Sequence, residues 1–374
     1  MAKLFIIVNQ DSFFLSHRKP VAQAALTQGY DVTIVAQDTG RSADIRALGL
    51  GFVDLPIDKA GVNPVKEAST FWFLFRLFRQ EKPDIVHNVG LKAILWGGLA
   101  ARLAGVRGIV SAVSGLGVLF SPDYPHRSLR MAVTSVLKYI HRSEGVCCIF
   151  HNLEDRDVLL KAGVVTEAQC FRTMGSGIDL NEYDYCPEPS EGKIHVLFTA
   201  RMVEDKGVLV LIEAASRLKE EFGESVDFLL CGGLDTNPNA ITKEQLESLC
   251  DGTYIKWLGM RNDVLKLLRE SHIFAFPSYY KEGLPKSCIE AAAVGRPVVT
   301  CDSTGCRDAV EDGVTGFLVP VKDSEALAER LRWLITHPQE RKMMGEAARA
   351  FAEKTFSIKE VVDIHMDIYR RVSR

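Results

Sequence analysis

The sequence predicts an α/β protein with two doubly wound domains, each built on a parallel sheet that helices cover. Short apolar runs alternate with helical patterns from the first residues onward, and this alternation restarts near residue 194. The length of 374 residues fits two domains at roughly 150 residues each. Apolar residues make up 47% and charged residues 25%, as in ordinary globular proteins. This composition excludes a disordered chain, a collagen-like repeat and a small disulfide scaffold.

The first half opens with a short apolar run, Leu4–Val8, which predicts a buried strand. A loop over 9–15 and a helix over 16–28 follow, and Gly29 closes that helix. Further strands are expected over 32–35, 84–86 and 109–113.

The second half restarts with a strand over 194–200 and a helix over 207–221. The strands expected after them are 226–231, 273–276 and 298–300, and the helices are 262–270 and 287–294. Residues 324–374 read as helices only. The segment 187–192, which contains two prolines, is predicted to be a stiff linker.

The pattern predicts two domains, 1–186 and 187–355. A C-terminal helix, 356–374, is expected to pack back on the first domain.

The N-terminus and the cysteines indicate a cytoplasmic protein. The apolar run before Asn9, Leu4–Val8, is only five residues long, too short for a signal-peptide core. Nine cysteines are scattered along the chain without a Cys-x-x-Cys pair, which is typical of reduced thiols. The same spacing predicts no zinc site among them.

Charge is distributed unevenly along the chain, although the net charge is only −3. Residues 1–180 carry a net +4 and residues 181–374 a net −7, while 61–142 alone carry +7. Within this basic region, Phe71–Arg79 holds four phenylalanines and a tryptophan. Two interpretations remain open: a core helix of the first sheet, or an exposed patch that docks on anionic lipid headgroups.

Two glutamates, Glu282 and Glu290, lie eight positions apart around a Gly-Leu-Pro loop. The first falls in the loop, and the second falls in a helix that Ser287 is expected to cap. A helix carboxylate suits the paired hydroxyls of a ribose, and a loop carboxylate suits a second hydroxylated group. The alternative is that Glu290 is only a capping partner of Ser287 and Glu282 a solvated loop residue.

Cations stand at two helix beginnings, where the macrodipole disfavours them. Arg201 and Lys206 frame the turn after the strand 194–200, and a diphosphate would remove that conflict. His17, Arg18 and Lys19 fall in the first turn of the expected helix 16–28 and point to an anionic ligand in the same way. The alternative in both places is a set of solvated surface side chains.

Several common nucleotide and metal motifs are absent. No Gly-x-Gly-x-x-Gly follows the first strand, and no Gly-x-x-x-x-Gly-Lys-Ser/Thr occurs. Asp155 and Asp157 form an Asp-x-Asp pair, but acidic residues at a helix start are ordinary. Dinucleotide oxidoreduction and P-loop chemistry are therefore not supported.

A series of short motifs resembles glycosyltransferase family 4, the retaining family with the GT-B fold. Residues 194–320 carry them in family order: Arg201…Lys206-Gly207, Gly232-Gly233, Leu258-Gly259, Pro277-Ser278, Glu282-Gly283-x-Pro285…Glu290-Ala291, Gly295-x-Pro297 and Asp312-Gly313-x-x-Gly316. The first half adds Phe14–Arg18, Lys82–His87 and Gly115-Leu116-Gly117. These resemble the bacterial polyprenyl-diphosphate-linked N-acetylgalactosaminyltransferases of glycan assembly.

The resemblance implies a fold of two Rossmann-like domains that face each other across a cleft. The first, 1–186, would be the acceptor-binding domain, and the second, 187–355, the nucleotide-sugar-binding domain. It also implies roles for individual residues. The catalytic set is Arg201, Lys206 and Glu282. The nucleotide-sugar-binding set is Gly232, Gly259, Met260, Arg261, Gly283, Leu284, Pro285 and Glu290. The acceptor-binding set is Ser16, His17, Arg18, Lys19, His87, Ser114 and Gly115.

The activity that the resemblance implies is transfer of a sugar, an N-acetylhexosamine, from a UDP-sugar to a polyprenyl-diphosphate-linked glycan with retention. UDP-sugar is then a substrate, and no cofactor or metal is required. The enzyme is expected at the cytoplasmic face of the cell membrane, held peripherally through 61–142, with no nucleic-acid partner. The alternatives are a GT-B UDP-N-acetylglucosamine epimerase and a non-catalytic nucleotide-sugar-binding protein.

Two departures from the family pattern concern the identity of the donor sugar. Many members carry a histidine before the glycine of the 114–117 loop, where this chain has Ser114. At Gly305–Asp308 the common pattern has a second glycine and a glutamate, and this chain has Cys306 and Asp308.

Overall fold

The computed structural model describes residues 1–57, 63–120, 124–235 and 239–373. The chain divides into two compact units. Unit 1 comprises residues 1–176 and 358–374, and unit 2 comprises residues 177–357. The predicted boundary between 186 and 187 thus falls inside unit 2, and the C-terminal helix belongs to unit 1.

Unit 1 contains a seven-stranded parallel sheet in the order β3-β2-β1-β4-β5-β6-β7. Its strands are β1 (Lys3–Gln10), β2 (Asp31–Gln37), β3 (Gly51–Asp54), β4 (Ile85–Val89), β5 (Gly108–Val113), β6 (Val146–Phe150) and β7 (Cys170–Arg172). Its helices are α1 (Asp11–His17), α2 (Lys19–Thr27), α3 (Ser42–Ala47), α4 (Pro64–Glu81), α5 (Leu91–Ala104), α6 (Arg127–His141), α7 (Leu153–Lys161) and α14 (Ile358–Val372).

Both faces of this sheet are covered, which explains why its central strands are apolar on successive residues. One face packs with α2 and α14, and the other packs with α4, α5 and α6. All residues of β4, β5 and β6 are buried. The polar side chains among them, including His87 and Asn88, therefore need an explanation beyond packing.

The segment after β1 differs from the prediction. The expected loop over 9–15 is largely helix α1, and the expected helix 16–28 is interrupted at Arg18. Pro20 stands in the first turn of α2, where its missing N–H costs no helical hydrogen bond. His17 consequently ends α1, the end that favours a cation, and only Lys19 begins a helix.

Unit 2 contains a six-stranded parallel sheet in the order β10-β9-β8-β11-β12-β13. Its strands are β8 (Ile194–Thr199), β9 (Val226–Cys231), β10 (Ile255–Gly259), β11 (Ile273–Phe276), β12 (Val298–Cys301) and β13 (Gly316–Val319). Its helices are α8 (Val208–Phe222), α9 (Lys243–Leu249), α10 (Val264–Glu270), α11 (Lys286–Val294), α12 (Ser324–Thr336) and α13 (Pro338–Thr355).

The proline-containing segment 187–192 is fixed to unit 2. Arg341, which is 4% exposed, donates two hydrogen bonds of 2.9 Å to the Glu188 carboxylate. The buried Arg296 guanidinium donates to the Pro187 carbonyl at 3.3 Å. These contacts hold the segment against α13 and the start of β12, so it does not act as the predicted linker.

Helix α4 carries the aromatic run of the basic region. Its buried residues are Thr70, Leu74 and Phe78, which face α5 and the sheet, so the helix is part of the core. Of its aromatic residues, Trp72 is exposed, by 55%. Within the described ranges, no helix is both long and apolar enough to span a bilayer. Residues 61, 62 and 121–123 of the basic region lie outside the described residues.

Candidate active site

The candidate residues of unit 2 gather at the carboxyl end of its sheet. Strand order reverses direction at β8, which has β9 on one side and β11 on the other. Ligands of doubly wound sheets bind at such a switch point, beyond the carboxyl ends of the strands. The loops that leave β8, β9 and β11 carry Arg201, Gly232 and Glu282, respectively.

Lys206 and Glu282 form an ion pair at this edge. The Lys206 ammonium donates a hydrogen bond to Glu282 Oε1, and both side chains are nearly buried. The Ser278 hydroxyl donates to the same Glu282 oxygen at 3.1 Å. Lys206 also lies over the Phe276 and Tyr280 rings, 5.7 and 5.1 Å from their centroids. The pair therefore holds the 277–286 loop against the turn before α8.

Arg201 lies beside the same turn and is more exposed. Its guanidinium donates to Asp235, which follows the Gly232-Gly233 pair after β9. Both cations of the turn thus pair with carboxylates. The oxygens of a diphosphate are also anionic acceptors for such cations.

Close backbone contacts fix the two loops that carry these side chains. Gly207 has φ +80°, and a Cβ at this position would lie 2.0 Å from the Pro277 carbonyl oxygen. Gly305 has φ +78°, and its Cβ would lie 2.4 Å from the Glu282 carbonyl oxygen. Glycine is required at both positions because a side chain would push the Glu282 loop away from the turn.

Glu290 is nearly enclosed on α11. Its Oε1 accepts a hydrogen bond from the Tyr183 hydroxyl at 3.0 Å and lies 3.4 Å from Lys286 Nζ. Burial raises the pKa of Glu290, while Lys286 and Tyr183 act in the opposite direction. The pKa of Tyr183 is raised by burial and by Glu290, so its phenol stays a donor. These contacts leave Glu290 an ordered acceptor.

The beginning of α11 differs from the prediction. The helix starts at Lys286, and Pro285 occupies the N-cap with no side-chain cap bond. Ser287 is therefore not the cap, and the alternative role of Glu290 as its capping partner is wrong. Proline ends the loop because its fixed φ suits this position and it has no N–H to leave unpaired.

The loops after β9 and β10 form the neighbouring part of the edge. The Gly232 N–H donates to the Gly259 carbonyl at 2.8 Å, which joins the two loops. Met260 is 73% exposed, and Arg261 is held by two hydrogen bonds to Asp263, 2.6 and 2.8 Å long. An exposed methionine beside an oriented guanidinium suits a flat, polar-edged group such as a base.

Leu284 and Gly283 are buried next to Glu282, and Pro285 is buried as well. A buried thiol also lies nearby, since Cys306 packs against the Ser278 carbonyl. Burial raises the pKa of Cys306 to about 12. The thiol is protonated at neutral pH and is not a candidate nucleophile.

The acceptor-binding candidates lie in unit 1 and fall into two groups. Ser16 is exposed, and His17, Lys19, Ser114 and Gly115 are partly exposed. In contrast, Arg18 is 1% exposed and His87 is fully buried. In this conformation the side chains of Arg18 and His87 are therefore enclosed by the protein and do not face solvent.

Three residues of the site were not selected from the sequence. Asp235 follows a glycine pair at a strand end, a position that could have pointed to it. Ser278 was part of a recognised motif without a role. Tyr183 lies in an irregular segment far from Glu290 in sequence, and no pattern marks it. In the described part of the chain, no group of three or more His, Cys, Asp or Glu side chains could hold a metal ion.

Two family models match the chain and together cover most of it. The model "Glycosyl transferases group 1" matches residues 187–351, and "Glycosyl transferase 4-like" matches residues 3–142. The first match contains every candidate residue that gathers at the edge of the unit 2 sheet except Tyr183.

Two similar curated proteins act on lipid-linked sugars, according to their names. The N,N'-diacetylbacillosaminyl-diphospho-undecaprenol alpha-1,3-N-acetylgalactosaminyltransferase of Campylobacter jejuni is 26% identical over 96% of this chain and 98% of its own length. The UDP-Gal:alpha-D-GlcNAc-diphosphoundecaprenol alpha-1,3-galactosyltransferase of Escherichia coli is 25% identical over 91% of this chain and 89% of its own.

Solved structures share the fold at low sequence identity. Anabaena HepE, determined with UDP and glucose, superposes with a TM-score of 0.78 at 18% identity, covering 99% of this chain and all of its own. Sucrose-phosphate synthase of Thermosynechococcus elongatus gives a TM-score of 0.81 at 18% identity, over 100% of this chain and 99% of its own. The predicted GT-B fold is confirmed.

Proposed function

Because the chain belongs to the glycosyl transferases that these two family models describe, we propose that it moves an N-acetylhexosamine from a UDP-sugar to a polyprenyl-diphosphate-linked glycan with retention. The observation that carries the proposal is the convergence of Arg201, Lys206, Glu282 and Glu290 at one edge of the unit 2 sheet. The acceptor class is supported by the names of the two relatives, which both act on undecaprenyl-diphosphate-linked sugars.

The donor diphosphate binds between Arg201 and Lys206. In the free chain these cations hold Asp235 and Glu282, so diphosphate binding exchanges carboxylate oxygens for phosphate oxygens. The exchange releases Glu282, whose loop then contacts the donor sugar. The N-terminus of α8, which begins directly after Gly207, adds a favourable dipole near the same phosphates.

Glu290 accepts hydrogen bonds from the ribose hydroxyls of the donor. Tyr183 and Lys286 both approach its Oε1 and hold the carboxylate in place for a hydroxyl pair. Met260 and Arg261 flank the base on the neighbouring loop.

The chemical step breaks the anomeric C–O bond of the donor and forms a new bond from that carbon to an acceptor hydroxyl oxygen. Positive charge develops on the sugar and negative charge on the departing UDP, which the two cations stabilise. Attack comes from the face of the leaving group, and a diphosphate oxygen takes the hydroxyl proton. Loss of one such preorganised interaction typically costs about 2.7–4 kcal/mol of transition-state stabilisation. This route needs no protein nucleophile.

We propose that the acceptor contacts the accessible candidates of unit 1, namely Ser16, His17, Lys19, Ser114 and Gly115. The enclosed side chains of Arg18 and His87 are left out of this set because the acceptor cannot reach them here. We also propose that transfer needs no metal, since two cations and a helix terminus neutralise the diphosphate. Transfer at an unchanged rate in excess EDTA is the expected result, and a loss that magnesium restores would refute this point.

The exposed apolar residues of α4 and α6 support peripheral association with an anionic membrane. Trp72 is 55% exposed, and Leu129 and Met131 are 46% and 70% exposed beside basic side chains of α6. Both helices pack on the same face of the sheet, so their outer sides can meet one surface. The enzyme would then work at the inner face of the cell membrane.

Liposome co-sedimentation tests this association. We expect binding to anionic vesicles that exceeds binding to neutral ones and that Met131→Glu weakens. Met343→Glu is the matched control, because Met343 is 68% exposed on unit 2. Equal binding to both kinds of vesicle, or equal loss in the two variants, would contradict the proposal.

The diphosphate assignment is tested with Lys206→Ala. We expect this variant to fold normally, to lose transfer, and to lose the thermal stabilisation that a UDP-sugar gives the parent. Lys266→Ala is the control, since Lys266 is exposed on α10 and pairs only at 3.8 Å with Glu270. Transfer by Lys206→Ala at the parental rate would show that the assignment is wrong.

A further inference from the structure

A cluster of buried polar side chains lies in unit 1, on the face of the sheet that α14 covers. We call it the Arg18 cluster. Its members are Arg18 between α1 and α2, His87 on β4, His151 after β6, and His365 and Tyr369 on α14. Each is at most 5% exposed. No role in donor binding or catalysis involves this cluster, because the donor site belongs to unit 2.

The hydrogen bonds within the cluster satisfy only part of it. Arg18 Nη2 lies 3.2 Å from His151 Nε2, and His87 Nδ1 lies 2.7 Å from the Tyr369 hydroxyl. His365 Nδ1 donates to the Val361 carbonyl at 2.7 Å. Arg18 Nε and Nη1, His87 Nε2 and His365 Nε2 are buried and have no hydrogen-bond partner among the residues that the structure describes. The His87 and His365 rings are neighbours, and their centroids are 5.4 Å apart.

The cluster also has a positive charge that no carboxylate of the described residues pairs with. Burial lowers the pKa of Arg18 to about 10, which leaves the guanidinium charged at neutral pH. The other group that acts on its pKa is the Tyr369 phenol, which is neutral at that pH. Burial also lowers the pKa of His87, His151 and His365, and the nearby Arg18 lowers each of them further. A buried cation without a counterion is strongly destabilising.

An internal water would satisfy some of the unpartnered atoms, but it would leave the charge uncompensated. An oxyanion does both, because its oxygens accept hydrogen bonds from the Arg18 guanidinium and from an imidazole N–H, and its charge opposes that of Arg18. We infer that the Arg18 cluster is an internal binding site for one small oxyanion, with Arg18 Nε and Nη1 and His87 Nε2 as its donors.

The enclosure of the cluster limits the size of this ligand. Arg18, His87 and His365 are between 0% and 1% exposed, so a nucleotide or a lipid-linked diphosphate cannot enter without opening the unit. Inorganic phosphate is a small oxyanion whose charge is opposite to that of Arg18. Bound phosphate would join the α1–α2 connection to β4, which are distant in sequence.

The experiment compares thermal unfolding of the full chain in phosphate and in sodium chloride of equal ionic strength, after long equilibration. For the parent, we expect a Tm that rises with the logarithm of phosphate concentration above saturation. Arg18→Met removes the charge and keeps the side-chain length, so its Tm should not respond. Arg46→Met is the control, since Arg46 is exposed in the same unit, and it should respond like the parent.

The stability of Arg18→Met in sodium chloride without phosphate is a second test. Arg18→Met should then be as stable as the parent or more stable, because it removes an uncompensated buried charge. Equilibrium dialysis of the parent should give one phosphate per chain, which sulfate displaces. This measurement keeps the inference testable if Arg18→Met fails to fold.

Three results would overturn the inference. The first is a Tm of the parent that phosphate does not raise above the chloride control. The second is an equal phosphate response in Arg18→Met. The third is stabilisation by a polyprenyl-diphosphate glycan but not by phosphate, which would place Arg18 in the acceptor site instead. None of these results concerns donor binding, so the proposed transferase activity is tested separately.

Discussion

Tyr183→Phe removes a single hydroxyl from the proposed donor site and should weaken binding of the donor. The Tyr183 hydroxyl lies 3.0 Å from Glu290 Oε1. In the proposed function, this hydrogen bond orients the carboxylate toward the ribose. A hydrogen bond to a charged group contributes about 1.5–3 kcal/mol. Lys286 remains 3.4 Å from the same oxygen, so the lower value applies. A loss of about 1.5 kcal/mol corresponds to about a tenfold fall in kcat/KM.

The effect of Tyr183→Phe should appear in KM for the donor and in the acid limb of the pH profile. Glu290 binds hydroxyls best as a carboxylate, and its pKa is already raised by burial. Tyr183 lowers that pKa, so its loss raises the pKa and moves the acid limb to higher pH. A merely structural role of Tyr183 would not move this limb.

The assay is initial-rate transfer from the UDP-sugar at several pH values for the parent, Tyr183→Phe and Tyr185→Phe. Tyr185 lies two residues further along the chain and contacts Gly295 rather than Glu290, so its variant is the matched control. An unchanged donor KM together with an unchanged acid limb in Tyr183→Phe would refute the role of Tyr183. An equal effect in Tyr185→Phe would refute its specificity.

Two further predictions concern stability. Gly207→Ala should lower Tm much more than Gly252→Ala does. Both glycines have positive φ, which costs roughly 1–2 kcal/mol for alanine. Of the two, the Cβ at 207 alone would meet a carbonyl oxygen, at 2.0 Å. Equal Tm values in differential scanning calorimetry would contradict the clash. In phosphate-free buffer, urea unfolding should show stability falling below pH 6.5 by about 1.4 kcal/mol per pH unit for each of two buried histidines. The reason is that the folded state lowers the pKa of His87 well below its usual value and the pKa of His365 to about 3. His365→Phe should reduce this dependence of stability on pH. An unchanged dependence would contradict the lowered pKa of His365.

Much of the fold follows from local sequence. Apolar runs predict the central strands because both faces of a parallel sheet are buried, so β9 and β11 have the expected bounds. The short edge strands β3 and β7 carry partly exposed residues and give no such signal. The break between α1 and α2 was missed because Lys19-Pro20 also suits the first turn of a single helix.

The candidate site was predicted less completely, for a physical reason. Residues that touch ligand directly stand in recognisable loops, and Arg201, Lys206 and Glu282 gather at one edge as the loop positions imply. Residues that act through another side chain are joined only by the fold, as Tyr183 is to Glu290. Burial is also a property of the fold, and the enclosure of Arg18 could not be read from three consecutive basic residues.

The most direct test of the central claim is analysis of the product that the chain forms from a UDP-N-acetylhexosamine and a short polyprenyl-diphosphate glycan. We predict addition of one sugar to the acceptor, with the donor's anomeric configuration retained in the NMR spectrum of the product, and release of UDP that depends on the acceptor. Release of free sugar without acceptor, an inverted linkage, or no transfer from any UDP-sugar would contradict it.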